Sequence, residues 1–156
     1  MRLVFKFSIF QKLSMKVKIK RIDKSLPLPV YETSGAVGFD LLARTDVTIH
    51  PKGIELIPAN VIVQVPKGYA LILASRSSTP RKHGLTKPHG IGVIDQDYCG
   101  DEDELKIQVM NFTDKPVMIA KGTKISQGIF VKVAKPSFKE VDQIAKKSRG
   151  GFGSTG

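Results

Sequence analysis

The chain has 156 residues, a length that predicts one domain with a sizeable buried core. The single cysteine, Cys99, excludes an intramolecular disulfide, and the three histidines leave no cluster with the spacing of a zinc site. Any metal is therefore expected to be a hard cation bound by oxygen. Hydrophobic residues make up 41% and charged residues 25%, without an uncharged run of membrane-spanning length. These numbers predict a globular protein with no membrane partner.

The formal net charge of +11 lies mainly at one end of the chain. Residues 1–24 carry a balance of +7, which leaves +4 for the rest. A strongly basic protein normally indicates a nucleic-acid partner, but the body of this chain is only mildly basic. We therefore expect no nucleic-acid partner.

Residues 1–14, MRLVFKFSIFQKLS, have the basic start and the apolar stretch of a signal peptide. Lys6 interrupts that stretch and no small-residue cleavage site follows, so we expect a cytoplasmic protein. The segment is interpreted as an N-terminal extension that is either disordered or upstream of the true start. A new pattern begins after it, because residues 16–22 alternate charged and apolar side chains as a half-buried strand does.

From there the sequence predicts many short strands separated by Pro and Gly turns. The predicted strands span residues 46–50, 54–65, 69–75, 92–94, 105–112, 117–119 and 125–133. This spacing favours an all-β sandwich or jelly roll. The one helix expected in the body covers residues 77–83, where Ser77 and Ser78 can cap and Pro80 fits the first turn.

The last nine residues, 148–156, have too little apolar surface to fold by themselves. Their glycine N–H groups, hydroxyls and Arg149 can bind phosphate oxygens, and Phe152 can cover a base. The alternative is a disordered linker, because tails rich in Gly and Ser are common.

Two internal segments carry groups suited to a polyphosphate. In residues 75–78, Arg76 and two serines follow a strand at the expected start of a helix, where dipole, hydroxyls and charge favour phosphate. An ordinary helix cap with a solvated arginine is the alternative. In residues 36–43, Asp40 lies inside an apolar run. A buried carboxylate is costly unless it is paired or faces a metal or its waters, so Asp40 is the best single functional candidate.

A third segment, residues 90–100, combines glycines with carboxylates at a strand end. The glycines allow close backbone approach and predict a narrow pocket. Asp95 follows two apolar residues and can act as a general base on water. Tyr98 can stack under a sugar, although a core tyrosine is commoner. Asp95 and Asp97 as plain turn residues are the alternative.

Together these residues resemble the five motifs of the trimeric dUTP diphosphatase (dUTPase) family, in order, from about Met15 to Gly156. The motifs read AVGFDLLA (36–43), SRSS (75–78), GVIDQDYCG (92–100), KGTKISQGIF (121–130) and RGGFGSTG (149–156). The resemblance implies a β jelly roll or distorted barrel at residues 15–140 and a flexible arm at residues 141–156. It further implies a homotrimer whose sites use more than one subunit, Mg²⁺ as the cofactor, and hydrolysis of dUTP to dUMP and pyrophosphate.

The resemblance also implies roles for individual residues. Asp95 activates the attacking water, and Asp40 helps to hold the hydration shell of Mg²⁺. Tyr98 packs against the deoxyribose and excludes a ribose hydroxyl, while Phe152 covers the uracil. The other residues expected to contact substrate are Arg76, Ser77, Ser78, His89, Gly90, Ile91, Gly92, Ile94, Gln127, Arg149, Gly153, Ser154 and Thr155.

The acidic stretch at residues 101–104 is longer than the common family pattern, and we interpret it as a solvated loop. The second motif, with Thr79, Pro80 and Arg81 after it, also resembles dCTP deaminases of the same fold, which use a glutamate on the strand after the third motif. Here that position is Gln108, and an amide cannot shuttle protons as a carboxylate does. A deaminase, alone or bifunctional, and a non-catalytic trimer that binds nucleic acid or a regulatory partner remain the alternatives.

Overall fold

The computed structural model describes residues 15–144, 147–148 and 150. Short strands dominate this part of the chain. They are β1 (Ile19–Arg21), β2 (Phe39–Leu42), β3 (Val47–Ile49), β4 (Ile54–Pro58), β5 (Val61–Val63), β6 (Tyr69–Ser75), β7 (Leu85–Thr86), β8 (Gly92–Ile94), β9 (Lys106–Asn111), β10 (Val117–Ile119) and β11 (Lys124–Lys132). The helix α1 (Thr79–His83) lies between β6 and β7.

The strands pair antiparallel in four sheets, with orders β2-β11-β6-β8, β4-β9-β7, β1-β5 and β10-β3. One cluster of buried apolar side chains receives residues from all four sheets. Its largest fully buried members include Leu41, Ile49, Ile57, Leu71, Leu85, Ile107 and Ile119. Alternation along the strands produces this core, since side chains at every second position point to the same face. The architecture confirms the predicted all-β fold.

The predicted strand at residues 54–65 is wrong in one respect, because it is broken into β4 and β5. Asn60 stands at the break with φ +68°, which lies in the left-handed region and outside the extended conformation of a regular β-strand. Its side chain stabilises the bend between β4 and β5, since Asn60 Nδ2 donates to the Asp23 carbonyl and Asn60 Oδ1 accepts from the Asp23 N–H. The predicted strand ran through Pro58 and Asn60, although both residue types favour turns.

The helix begins two residues later than the sequence predicts. Ser78 is the N-cap residue, but its hydroxyl makes no capping hydrogen bond, and Pro80 lies in the first turn. At five residues α1 is the one helix in the described part of the chain, far shorter than a membrane crossing requires.

Lys87 follows β7 and is only 7% exposed. The ion pairs among the described residues do not involve it. Burial lowers the pKa of its ammonium group from 10.5 to about 8, because the charged form loses hydration. The folded state therefore carries the cost of a desolvated charge at neutral pH.

Replacing Lys87 by methionine is expected to raise the free energy of unfolding at pH 7 by about 1–3 kcal/mol, since methionine fills a similar volume without a charge. The folded pKa lies below the unfolded one, so the unfolded chain binds more protons between pH 8 and 10.5. Wild-type stability consequently rises with pH across that window, and the advantage of Lys87→Met shrinks. Urea unfolding at several pH values measures both effects. Lys82→Met, at an exposed position of α1, is the control, and equal stability of wild type and Lys87→Met at pH 7 contradicts the prediction.

Candidate active site

One cleft of about 260 Å³ collects side chains from the first, second and fourth motif segments. It is lined by Glu32, Ala36, Gly38, Asp40, Arg76, Ser77, Ser78 and Gln127. Strand register explains the meeting. Asp40 on β2 pairs with Gln127 on β11, which pairs with Ala74 on β6 just before that strand ends. Three distant stretches of sequence thus converge at one end of the central sheet.

Asp40 lies between two cations in this cleft. Its Oδ1 accepts from Arg76 Nε at 2.8 Å, and its Oδ2 lies 3.0 Å from Lys124 Nζ. The carboxylate is 13% exposed, so the pairing accounts for a charge at this depth. Each oxygen keeps a further lone pair that can accept a hydrogen bond from water.

Lys124 also forms an ion pair with Glu32. The hydrogen bonds to Glu32 and then to Asp40 raise the pKa of the Lys124 ammonium group. The carboxylates of Asp40 and Glu32 and the cations of Arg76 and Lys124 form one cluster with a net charge of zero. A bound polyphosphate would therefore need additional positive charge from elsewhere.

The turn that carries Arg76, Ser77 and Ser78 is fixed to β11 by two hydrogen bonds to backbone carbonyls. Thr79 is buried, and its hydroxyl donates to the Ile125 carbonyl at 3.0 Å. Arg76 Nη1 approaches the Lys124 carbonyl at 3.4 Å. Ser77 is exposed and the Ser78 hydroxyl is not used as a cap, so both hydroxyls are available to a ligand.

Gln127 approaches the backbone of the first motif so closely that a side chain at position 38 would displace its amide. A Cβ at position 38 would lie 2.9 Å from Gln127 Oε1. On its other side, Gln127 Nε2 reaches the Ser75 carbonyl at 3.5 Å. The amide is thereby held between the first and second motifs.

The third motif forms β8 and the loop that follows it, at the other edge of the central sheet. Within residues 15–144, β8 is the last strand in the sheet order and pairs with β6 alone, so its outer edge presents backbone donors and acceptors that no strand of this part of the chain uses. The preceding turn has Gly90 at φ +77°, with its N–H on the Lys87 carbonyl. His89, Gly90 and Ile91 are exposed, while Gly92 and Ile94 are half-buried.

Asp95 directly follows β8 and is exposed. The loop after it is anchored by Gln96, whose Nε2 donates to the Tyr69 carbonyl at 2.9 Å. Tyr98 is 38% exposed, and its hydroxyl donates to the Glu104 carbonyl at 3.3 Å. The hydroxyl end of the ring is held, while more than a third of the residue stays exposed.

Asp95 does not reach the cleft of its own chain. Asp40 is level with Ala74 of β6, because both residues pair with Gln127 of β11. Ile94, the residue before Asp95, instead pairs with Leu71 of β6. Three strand spacings and about four residues of strand length separate Asp40 from Asp95, a distance on the order of 15–20 Å. A water or metal ion held at one carboxylate is therefore beyond the reach of the other within a single chain.

Sequence reasoning overlooked Lys124 and Glu32. Lys124 stands within the fourth motif, and a second cation on Asp40 could have been suspected from the cost of burying that carboxylate. Glu32 gave no signal in the sequence. The predicted contacts of Arg149, Phe152, Gly153, Ser154 and Thr155 lie outside the described residues.

Comparison with known proteins identifies the relatives of this chain. The dUTPase family matches residues 24–156. The deoxyuridine 5'-triphosphate nucleotidohydrolase of Finegoldia magna is 40% identical over 145 residues, which cover 90% of this chain and 99% of that protein. The crystal structure of dUTPase from Streptococcus mutans superposes with a TM-score of 0.70 at 32% identity, covering 77% and 98% of the two chains. The dUTPase of Staphylococcus bacteriophage 80alpha with dUPNHPP gives a TM-score of 0.80 at 25% identity, covering 90% and 98%. The chain belongs to the dUTPase family.

Proposed function

We propose that this protein hydrolyses dUTP to dUMP and pyrophosphate. The observation that carries the proposal is the convergence of Asp40, Arg76 and Gln127 in one cleft of a chain that belongs to the dUTPase family. The Finegoldia magna relative is named for this reaction. The substrate is a soluble nucleotide, and we place the reaction in the cytoplasm.

The cleft binds the phosphates of the substrate. Arg76 supplies a forked cation that keeps N–H groups available at Nη2, and one at Nη1, when Nε is bound to Asp40 and Nη1 approaches the Lys124 carbonyl. Ser77, Ser78 and Gln127 add neutral donors with free or adjustable hydrogen bonds. Their convergence around one cavity supports a role in orienting the triphosphate.

The residues of the cleft also fit Mg²⁺. Groups of three or more His, Cys, Asp or Glu side chains that could cage a metal are absent from the described residues, and Mg²⁺ prefers few carboxylates with waters and substrate phosphates. Asp40 would hold the hydrated ion through its remaining lone pairs, and the ion would neutralise phosphate charge that the balanced cluster cannot.

Asp95 acts as the general base. It accepts a proton from water as the water oxygen forms a bond to phosphorus and the α–β anhydride bond breaks, with pyrophosphate leaving. The open edge at His89, Gly90, Ile91, Gly92 and Ile94 reads the uracil through backbone groups. Tyr98 packs under the deoxyribose at a position where a 2′-hydroxyl would collide.

The active enzyme is a homotrimer whose sites combine the cleft of one chain with Asp95 and Tyr98 of another. The separation of Asp40 from Asp95 within one chain supports this arrangement. Two exposed apolar side chains at the edge strand β8, Ile91 at 50% and Val93 at 56%, fit a surface that is covered by a second copy.

Residues 15–140 form the β domain, and residues 141–156 form an arm that closes over the bound nucleotide. The described residues after β11 contain no helix or strand up to position 144, which supports a boundary in this region. Arg149, Ser154, Thr155 and the backbone of Gly153 contact the phosphates, and Phe152 covers the uracil. Closure removes water, which strengthens every charge interaction in the site.

Replacing Gly38 by alanine is expected to lower kcat/KM for dUTP by about tenfold or more, because a displacement near 1 Å of a positioning group is costly. The added Cβ would lie 2.9 Å from Gln127 Oε1 and move the amide away from the phosphates. Steady-state release of pyrophosphate measures the effect. Gly35→Ala, at a glycine with open space around it, is the matched control. Full activity of Gly38→Ala would show that Gln127 contributes nothing by its position.

Product analysis by anion-exchange chromatography tests the proposed function. The protein is incubated with Mg²⁺ and, separately, dUTP, dCTP, dTTP and UTP. Conversion of dUTP alone to dUMP and pyrophosphate is the expected result. A deaminated product from dCTP would establish the deaminase alternative, and absence of turnover with every nucleotide would favour the non-catalytic trimer.

A further inference from the structure

The acidic stretch after the third motif is only partly a solvated loop, contrary to expectation. Asp101 and Glu102 are exposed, but Glu104 is buried, with 9% of its surface accessible. Its carboxylate accepts two bonds from Arg44, Nε to Oε1 at 2.7 Å and Nη2 to Oε2 at 2.9 Å. Oε1 also accepts the backbone N–H of Asn60 at 2.8 Å. The loop that begins at Asp95 therefore ends on a bidentate ion pair.

The partners of Glu104 are themselves fixed. Asn60 has the left-handed backbone conformation of the β4–β5 turn, with Asp23 bound to its side chain and the Ile22 N–H donating to its carbonyl at 2.9 Å. The next residue of the loop, Leu105, is fully buried and bonds to Val61 through its N–H. Glu104 is consequently held to a rigid part of the body at both its side chain and its following peptide.

Tyr98 is connected to this anchor. Its hydroxyl donates to the carbonyl of Glu104 itself, six residues along the loop. Between the two, Gly100 N–H binds Asp103 Oδ2 at 2.6 Å and the Glu104 N–H binds the Glu102 carbonyl. The position of the tyrosine ring therefore depends on where Glu104 is held.

We propose that Arg44 and Glu104, together with the backbone N–H of Asn60, are positioning residues for Tyr98 and thereby set the preference for deoxyribose over ribose triphosphates. The inference rests on the proposed function, in which Tyr98 packs under the sugar. A ring held at one end excludes a hydroxyl sharply, whereas a ring free to shift by a fraction of an ångström yields to it. Arg44 and Glu104 act through Tyr98 and do not contact the nucleotide.

The test compares kcat/KM for dUTP and UTP in three variants. Tyr98→Phe removes the hydroxyl that bonds to Glu104, and Glu104→Gln keeps the shape but turns an N–H donor towards the guanidinium of Arg44. Each is expected to lower the dUTP-to-UTP ratio by about three- to tenfold, the worth of one net hydrogen bond. The double variant is expected to lower the ratio no further than the larger single effect, because both changes act by the same route.

The ratio separates positioning from a merely structural role. A general weakening of the fold lowers kcat/KM for dUTP and for UTP by the same factor and leaves their ratio unchanged. Asp114→Asn, which breaks the exposed Lys52–Asp114 ion pair far from the loop, is the matched control and should leave the ratio as in wild type. Arg44→Lys keeps a cation beside Glu104 and should restore part of the selectivity lost in Arg44→Ala.

The outcomes distinguish the two claims. Failure of the wild-type protein to hydrolyse dUTP would refute the proposed function. Hydrolysis of dUTP with an unchanged ratio in Tyr98→Phe would overturn the positioning role alone. Tyr98→Phe decides the question even where Glu104→Gln fails to fold, since Tyr98 lies outside the buried core and loses a single hydroxyl.

Discussion

Asp95→Asn is expected to lower kcat for dUTP hydrolysis by about 10²–10⁴-fold, the contribution of a positioned general base. Asparagine has nearly the same shape and keeps the exposed position after β8, but its amide cannot accept the proton of the attacking water. KM should change little, because Asp95 acts on water rather than on the nucleotide. Steady-state pyrophosphate release with saturating dUTP and Mg²⁺ measures the effect.

Asp97→Asn is the matched control for this experiment. Asp97 is an exposed carboxylate two residues along the same loop, and its replacement removes the same charge. It should retain nearly full activity. Equal losses of kcat in the two variants would mean that the negative charge of the loop supports activity, and that no general base acts at position 95.

Arg76→Ala is expected to lower kcat/KM for dUTP by about 10²-fold or more, since charge-assisted hydrogen bonds to phosphate are among the strongest in proteins. The change removes the cation on Asp40 Oδ1 and leaves that carboxylate with Lys124 alone, so the cleft becomes net negative. A triphosphate should bind less well for both reasons. Full kinetics with dUTP and a binding measurement with a non-hydrolysable analogue separate the two losses.

Arg81→Ala is the control for Arg76→Ala, because Arg81 is an exposed arginine of α1 outside the cleft. Its removal should change kcat/KM by less than about twofold. Arg76→Lys should recover only part of the lost activity, since an ammonium group cannot bond to Asp40 and present a fork to phosphate at once. Unaltered kinetics in Arg76→Ala would show that Arg76 does not bind the phosphates of the substrate.

Local sequence predicted several strands at their observed bounds. β6, β8 and β10 coincide with the expected ranges because Pro, Gly or a charged turn closes each of them. The break at Asn60 was missed although Pro58 and Asn60 both favour turns, and the residue whose backbone stabilises the left-handed asparagine, Asp23, is far away in sequence. The two-residue strand β7 was too short to give a pattern.

Residue chemistry identified the candidate groups of the site but not their arrangement. A lone carboxylate in an apolar run singled out Asp40, yet Lys124 and Glu32 are brought to it by strand register and by a preceding loop. Register likewise decides that Asp95 lies away from the cleft. The prediction that Glu104 is solvated was wrong. Two of its acidic neighbours are exposed, but Glu104 itself is buried in an ion pair with Arg44.

Complementation between inactive variants tests most directly whether a site is shared between copies. Asp95→Asn and Arg76→Ala chains are unfolded, mixed in equal amounts and refolded together, and dUTP hydrolysis is compared with refolded wild type. If Asp95 serves the cleft of another copy, random assembly restores about one quarter of the wild-type activity, and a mixture of wild type with the Asp95→Asn/Arg76→Ala double variant also gives about one quarter. If each chain carries its own complete site, the first mixture stays as inactive as its parents and the second gives about one half, which would contradict the shared site.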